Sequence, residues 1–496
     1  MSEEKTVVVE KEKKSVKKEI KELSQRLAEQ QLLLKEAKIP VIVLIEGWAA
    51  SGKGSLINEL ISELDPRFYN VSSLPVIPEL QSRLPFLTQY AERIPENGKI
   101  MFFDSGWMED VVRKYVKHEI TKKQYKKRIE AVQVFERQLT DGGYVILKLF
   151  LNMTKEKQFE RLAMLSDHVD TEWRVTDDDR MQHREYHVYK ESYEAFMKET
   201  NDPVPWHVLD VNKRREKTRD AFRLLVDAID KALKNGRYVG KPFKANFPLV
   251  SMPKLTDVDL SLTISEDEYK VEQKKLQKRL SELHNIIYRK KIPVIICYEG
   301  WDAAGKGGNI RRVTYPLDPR GFDVIPIASP LPHELARHYL WRFWTKLPRT
   351  GHITIFDRTW YGRVMVERLE GFCDEKDWKR AYNEINEFEG LLTDWGAVVL
   401  KFWIHIDSET QLERFTLRQN TPAKQWKITD EDWRNRDKWD LYEEVVDEML
   451  EKTSTENAPW HIISSNDKKY ARIQTLRIIV DALEKACEEH MQKILG

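Results

Sequence analysis

The sequence predicts an α/β protein of two tandem P-loop domains, each a parallel sheet flanked by helices with a helical lid. Three observations predict it: an internal repeat, short β-branched runs alternating with helical stretches, and a glycine-rich loop placed between a strand and a helix. At 496 residues the chain exceeds what one hydrophobic core usually supports.

The repeat is direct. Lys38-Ile39-Pro40-Val41-Ile42 recurs as Lys291-Ile292-Pro293-Val294-Ile295, a shift of 253 positions (291 minus 38). The same shift carries Leu64-Asp65-Pro66-Arg67 onto Leu317-Asp318-Pro319-Arg320, Asp104 onto Asp357, Trp107 onto Trp360 and Trp173 onto Trp426. One late insertion then aligns Pro205-Trp206-His207 with Pro459-Trp460-His461. A period this long is a duplicated domain rather than a solenoid unit. The halves are expected to divide as 1–245 and 246–496. Gly236, Gly240, Pro242, Pro248 and Pro253 mark a connecting segment without helical or strand periodicity.

Each half opens with a charged helix, Lys18 to Lys35 or Tyr269 to Lys290, whose leucines recur at helical spacing and which ends before an Ile-Pro pair. Short apolar runs follow as buried strands: Val41 to Ile45 and Val294 to Tyr298, Ile100 to Phe103 and Ile353 to Phe356, Val145 to Leu151 and Val398 to Ile404, His207 to Leu209 and His461 to Ile463. Strands separated by helices imply parallel pairing through right-handed crossovers, and so a three-layer domain in each half.

Composition limits the function classes. Charged residues make up 33% and hydrophobic ones 41%, and the net charge is +1, which fits a soluble globular protein and not a basic nucleic-acid binder. No apolar run reaches membrane-spanning length, and the charged stretch from Ser2 to Glu19 lacks the apolar centre of a signal peptide. Cys297, Cys373 and Cys487 form neither a zinc spacing nor a disulfide framework, as expected of a cytoplasmic chain.

The chemistry is concentrated in the second half. Gly300-Trp301-Asp302-Ala303-Ala304-Gly305-Lys306-Gly307-Gly308 satisfies the G-x-x-x-x-G-K core of a phosphate-binding loop (Walker A). Glycines let backbone N–H groups turn inward, the next helix presents its positive end, and Lys306 can reach a phosphoryl group. Gly307 stands where the Ser or Thr that binds Mg²⁺ is usual, so the metal falls to Asp302 and Asp357, the latter at the end of a neighbouring strand. Asp302 has two further readings: a base that orients the acceptor, or a turn former. Arg358 and Arg363 are candidates to clamp phosphate, or else to pair with Glu367 or Glu370. Arg311 and Arg312 extend a basic path from the loop. Arg414 and Arg418 share one helix face, either on a lid or on a solvated surface. The aromatics of Trp341-Arg342-Phe343-Trp344 read as core ahead of a base-stacking platform.

Together, Gly300-x-Asp302-x-x-Gly305-Lys306-Gly307-Gly308, Leu317-Asp318-Pro319-Arg320-Gly321, Trp341-Arg342-Phe343-Trp344, Phe356-Asp357-Arg358-x-Trp360-Tyr361 and Ala458-Pro459-Trp460 resemble the type 2 polyphosphate kinases. The tandem arrangement is similar to the fused two-domain class of that family. The resemblance implies a kinase-like P-loop fold and transfer of a terminal phosphoryl group from inorganic polyphosphate to AMP, giving ADP with Mg²⁺ present. The partners expected are polyphosphate and the AMP/ADP nucleotide, with no nucleic acid and no membrane; a homo-oligomer is left open. An ATP-dependent nucleoside monophosphate kinase, polyphosphate-dependent phosphorylation of ADP, and a non-catalytic polyanion binder are the alternatives.

The first half keeps Gly47, Gly52, Lys53, Asp104 and Trp107. It has Ala49 for Asp302, Ser105 for Arg358, Asn58 and Glu59 for Arg311 and Arg312, and Gln89 for Arg342. It also has Met108 for Tyr361, Asp110 for Arg363 and Leu165 for Arg418. Losing several cations while gaining acids weakens polyanion binding additively. The first copy is therefore expected to be degenerate and structural, and the second catalytic.

Overall fold

Short apolar segments flanked by helices pair in the computed structural model as two separate five-stranded parallel sheets. It describes residues 2–73, 83–236, 247–422, 425, 428 and 430–495. The expected boundary between residues 245 and 246 and the repeat partner Trp426 lie outside the described residues. Two compact units are present: Met1–Ile77, Leu87–Lys241 and Pro332–His338 form the first, and Pro78–Phe86, Pro242–Leu331 and Tyr339–Gly496 the second.

In the first unit the strands are β1 (Val41–Gly47), β2 (Tyr69–Ser73), β3 (Ile100–Asp104), β4 (Val145–Asn152) and β5 (Trp206–Asp210). They lie in the order β2-β3-β1-β4-β5. In the second unit β6 (Val294–Gly300), β7 (Phe322–Pro326), β8 (Ile353–Asp357), β9 (Val398–His405) and β10 (Trp460–Ser464) lie in the order β10-β9-β6-β8-β7. The central strands β1 and β6 are buried almost throughout, as strands covered on both faces must be. The edge strands β2 and β7 were not among the sequence-expected runs. β2 is mostly exposed and polar, while β7 is a short run, Phe-Asp-Val-Ile-Pro, that is broken by Asp323 and closed by Pro326 and has no buried residue.

β6 is flanked by β8 and β9, and the chain leaves it in opposite directions to reach them. That reversal opens a crevice at the carboxyl ends of the strands, where open α/β sheets bind ligands. The phosphate loop, the end of β8 and the end of β9 converge there. Behind the crevice the interior is held by a buried ion pair. Lys401 Nζ donates to Glu389 at 2.8 Å, to the Thr453 carbonyl at 2.7 Å and to Tyr361 Oη at 2.8 Å. Trp360 Nε1 and Tyr361 Oη donate to the same carboxylate at 3.0 and 2.6 Å. The first unit repeats the arrangement: Lys148 donates to Glu136 at 2.7 Å and to the Thr200 carbonyl at 2.6 Å, with Trp107 Nε1 on the same carboxylate at 2.9 Å. Such a pair is tolerated inside only because each lone pair and proton finds a partner. Phe343 and Trp344 are core residues, 3% and 4% exposed, in agreement with the first of their two readings.

Candidate active site

Gly300 ends β6 with φ 144°, and a Cβ there would collide with the backbone of Ile404 on β9, so the turn into the loop requires glycine. Ala303 and Gly305 also take positive φ, at 61° and 119°, which folds the loop around its own N–H groups. Lys306 begins the helix Lys306–Thr314, and its Nζ donates to the carbonyls of Gly300 at 2.6 Å and Trp301 at 3.2 Å. The ammonium is thus parked across the loop mouth, one side-chain rotation from a phosphate bound there.

A cleft of about 730 Å³ opens above the loop. Asp302, Gly305, Lys306, Gly307, Gly308, Arg311, Arg312, Asp357, Arg358 and Arg418 all line it. Asp302 is held from two directions: Arg358 Nη2 reaches Oδ1 at 3.4 Å, and Asn435 Nδ2 donates to Oδ2 at 3.1 Å. It therefore acts as a hinge point between the strand end and the helix Asp430–Asp437, and it does not cap the loop helix, whose cap residue is Gly305. Asp357 ends β8 in register with Tyr298. Arg358 follows at φ 65°, a strained conformation for a non-glycine residue that turns its side chain out at the strand end.

Two sequence-expected arginines lie elsewhere. Arg363 is not among the cleft residues; its Nη1 pairs with Glu367 at 2.6 Å and its guanidinium sits over Tyr339. Spacing of four along the chain decided this, because the intrachain carboxylate is nearer than the cleft. Arg414 is only 8% exposed and donates to the carbonyls of Ala303, Ala304, Ser465 and Asn466 at 2.6–3.0 Å. It braces the phosphate loop from behind, and burial pulls its pKa down to about 10. Arg418, one turn on, does reach the cleft, so one helix face divides between a brace and a site residue.

Sequence reasoning passed over several residues. Glu299 is buried beside the loop and accepts from Thr359 N at 2.7 Å and Thr359 Oγ1 at 2.8 Å, which pins the turn after Arg358; burial pushes its carboxyl upward. An acid inside an otherwise apolar strand, repeated as Glu46, was the available signal. Asn435 and Trp439 are further cases. Trp439 stacks on Trp301 at 3.8 Å, docking the helix Trp439–Thr453 on the loop. His405 accepts from Trp301 Nε1 at 3.0 Å through Nδ1, and its Nε2 faces the Leu255 carbonyl at 3.1 Å. Both ring nitrogens are occupied by a neutral imidazole, and burial lowers its pKa to about 4.

A strand-loop-helix phosphate cradle, four cleft arginines and the three carboxylates of Asp302, Asp357 and Asp432 together define a P-loop phosphotransferase site. The chain belongs to the polyphosphate kinase 2 family, whose model matches residues 10–237 and again residues 263–491. It is 39% identical over 482 residues to the polyphosphate:AMP phosphotransferase of Pseudomonas aeruginosa, covering 96% of this chain and 97% of that protein. To the polyphosphate:AMP phosphotransferase of Acinetobacter johnsonii it is 36% identical over 451 residues, covering 90% and 91%. A crystal structure described as a polyphosphate kinase 2 from Pseudomonas aeruginosa matches with a TM-score of 0.82 at 37% identity, covering 96% of this chain and 97% of that one.

Proposed function

We infer that the second unit transfers a phosphoryl group from inorganic polyphosphate to AMP, producing ADP, and that the first unit does not catalyse. The observation that carries this reading is the cleft itself. Arg311, Arg312, Arg358 and Arg418 surround the loop lysine, more fixed positive charge than a single monophosphate needs, and it suits a chain of phosphates.

In-line phosphoryl transfer needs positioning and charge neutralisation more than covalent help from protein. Lys306 and the N–H groups from Gly305 to Gly308 hold the phosphoryl group at the reaction centre. Arg358 and Arg418 bind the flanking phosphates, while Arg311 and Arg312 carry the chain away along the helix that follows the loop. Asp302 and Asp357 fit Mg²⁺, a hard cation that takes one or two carboxylates and completes its shell with phosphate oxygens and water. Bound there, Mg²⁺ would neutralise charge on the transferring phosphate. Asp302 accepts one contact on each oxygen, from Arg358 and Asn435, and would keep a lone pair on each for the cation.

A cytoplasmic location fits the three free cysteines; no described helix is long and apolar enough to cross a membrane. The near-neutral charge disfavours nucleic acid as a partner. The test is to supply Mg²⁺ and AMP with either polyphosphate or ATP and follow ADP. Formation from polyphosphate that is lost in Lys306→Ala supports the reading, whereas ADP from ATP alone makes this a nucleotide-dependent kinase.

A further inference from the structure

The first unit keeps a phosphate loop that this reaction leaves idle. Ala50 has φ 59° and Gly52 φ 88°, the same turns that Ala303 and Gly305 make, and Lys53 Nζ lies 3.3 Å from the Gly47 carbonyl. Gly52 caps the nine-residue helix Lys53–Ile61, whose first-turn N–H groups have no intrahelical acceptor. Two side chains beside it are largely buried. Lys217, from the helix Arg214–Asn235, is 7% exposed, and its side chain makes no hydrogen bond or ion pair with any described residue. Its Nζ lies 4.0 Å from the point where a Cβ on Gly52 would stand, and Arg161 Nη1 lies 3.9 Å from that point. Ser51 Oγ is buried without a partner in the same turn.

The surrounding acids do not answer this charge. Glu59 attracts Lys217 but accepts from Thr218 Oγ1 and faces Arg214 at 3.7 Å. Glu46 and Glu109 face Lys53; burial lifts Glu46 to about 8, so it is largely protonated at neutral pH, and it lifts Glu109 as well. Tyr193 donates to Glu109 at 2.8 Å. Asp104, the counterpart of Asp357, brings Oδ2 to 3.9 Å from the Cβ position of Gly54 and is the one of these acids that borders the loop. Partial burial lowers the pKa of the Lys217 ammonium although Glu59 attracts it, and an anion seated on the loop would add the close counter-charge it lacks.

We propose that the phosphate loop of the first unit is a non-transferring binding site for a single phosphate group, completed by Lys217. The second unit has Ala471 at the matching position, counting the late insertion, and Ala304 where the first has Ser51, so these groups are the first unit's own. The ligand is one phosphate and not a chain, because Asn58, Glu59, Ser105 and Leu165 stand where the second unit has the cleft arginines that could follow further phosphates. Ala49 N–H is already taken by Gln182 Oε1 at 2.7 Å, so it is not available to a further phosphate.

The experiment measures binding of radiolabelled orthophosphate to the full chain by equilibrium dialysis, with Lys306→Ala, Lys53→Ala, Lys217→Ala and Lys217→Arg variants. The expected result is a phosphate site that survives Lys306→Ala, loses affinity about tenfold or more in Lys53→Ala and Lys217→Ala, and is restored to within about threefold by Lys217→Arg. Polyphosphate-dependent ADP formation by Lys217→Ala stays within about twofold of wild type, a readout that reports on the second unit separately. A Lys306→Ala chain that binds no orthophosphate, or a site indifferent to Lys217→Ala, overturns the proposal. So does binding of polyphosphate there with none of orthophosphate or AMP, since the site would then need a chain.

Discussion

Lys306 and Lys53 fold back onto the first carbonyl of their loops, and Arg414 and Arg161 brace those loops from behind through matching carbonyls. Trp301 and Trp48 each stack on the following lid helix, against Trp439 at 3.8 Å and Tyr186 at 4.1 Å. Arg358 and Ser105 share the same strained turn, with φ 65° and 66°. What separates the units is the charge carried on this common backbone. The cleft arginines of the second unit are replaced by neutral or acidic residues in the first. A phosphate loop is thus a cradle for one phosphate, and the residues around it decide whether a polyanion can be held and its charge neutralised during transfer.

Removing the loop lysine should separate the units most sharply. Lys306→Ala is expected to lower ADP formation by roughly a thousandfold or more, with the thermal transition retained, while Lys53→Ala stays within about twofold. Steady-state assays of both variants check this, and equal losses would abolish the distinction.

The buried ion pairs should behave alike. Lys401→Met and Lys148→Met each leave an uncompensated carboxylate, and each is expected to cost about 3–4 kcal/mol in denaturant unfolding. A much smaller loss in one unit would show that the shared network is not equally important in both.

The third test separates the units by pH. His405 has a folded pKa of about 4 against an ordinary 6.5, so the unfolded chain binds the proton first as pH falls. Stability of the second unit is therefore full above pH 6.5 and declines between 6.5 and 4, by roughly 2–3 kcal/mol. The first unit has Asn152 at this place, accepting from Trp48 Nε1 at 3.2 Å, and it lacks this source of pH dependence. His405→Asn should lessen the decline, leaving the smaller share of the buried His284 and half-buried His461, as thermal melts across that range would show.

The smallest effect belongs to the lid latch. Asn435→Ala frees one oxygen of Asp302 and is expected to change turnover by about fivefold, near 1 kcal/mol. Gln182→Ala, its counterpart on Ala49 N–H, should leave turnover unaltered.

Much of the fold was legible because central parallel strands must be apolar along their whole length. Val41–Gly47 and Val294–Gly300 announce themselves, whereas the edge strands Tyr69–Ser73, which is polar, and Phe322–Pro326, which is short and interrupted by Asp323, do not. The loop residues, Asp357 and Arg358 were legible because backbone geometry fixes their spacing within one motif.

By itself the sequence determined the duplication, the two phosphate loops and the loss of cations from the first, since each is a matter of residue identity at a constant shift. Tertiary structure alone decided which charges face the cleft. Arg363 turns to Glu367, Arg414 turns inward to four carbonyls, Arg418 reaches the site, and Asn435 arrives from a helix far along the chain. The reason is that a long side chain takes the best partner within its reach, and those partners are set by chain crossings that local spacing does not encode.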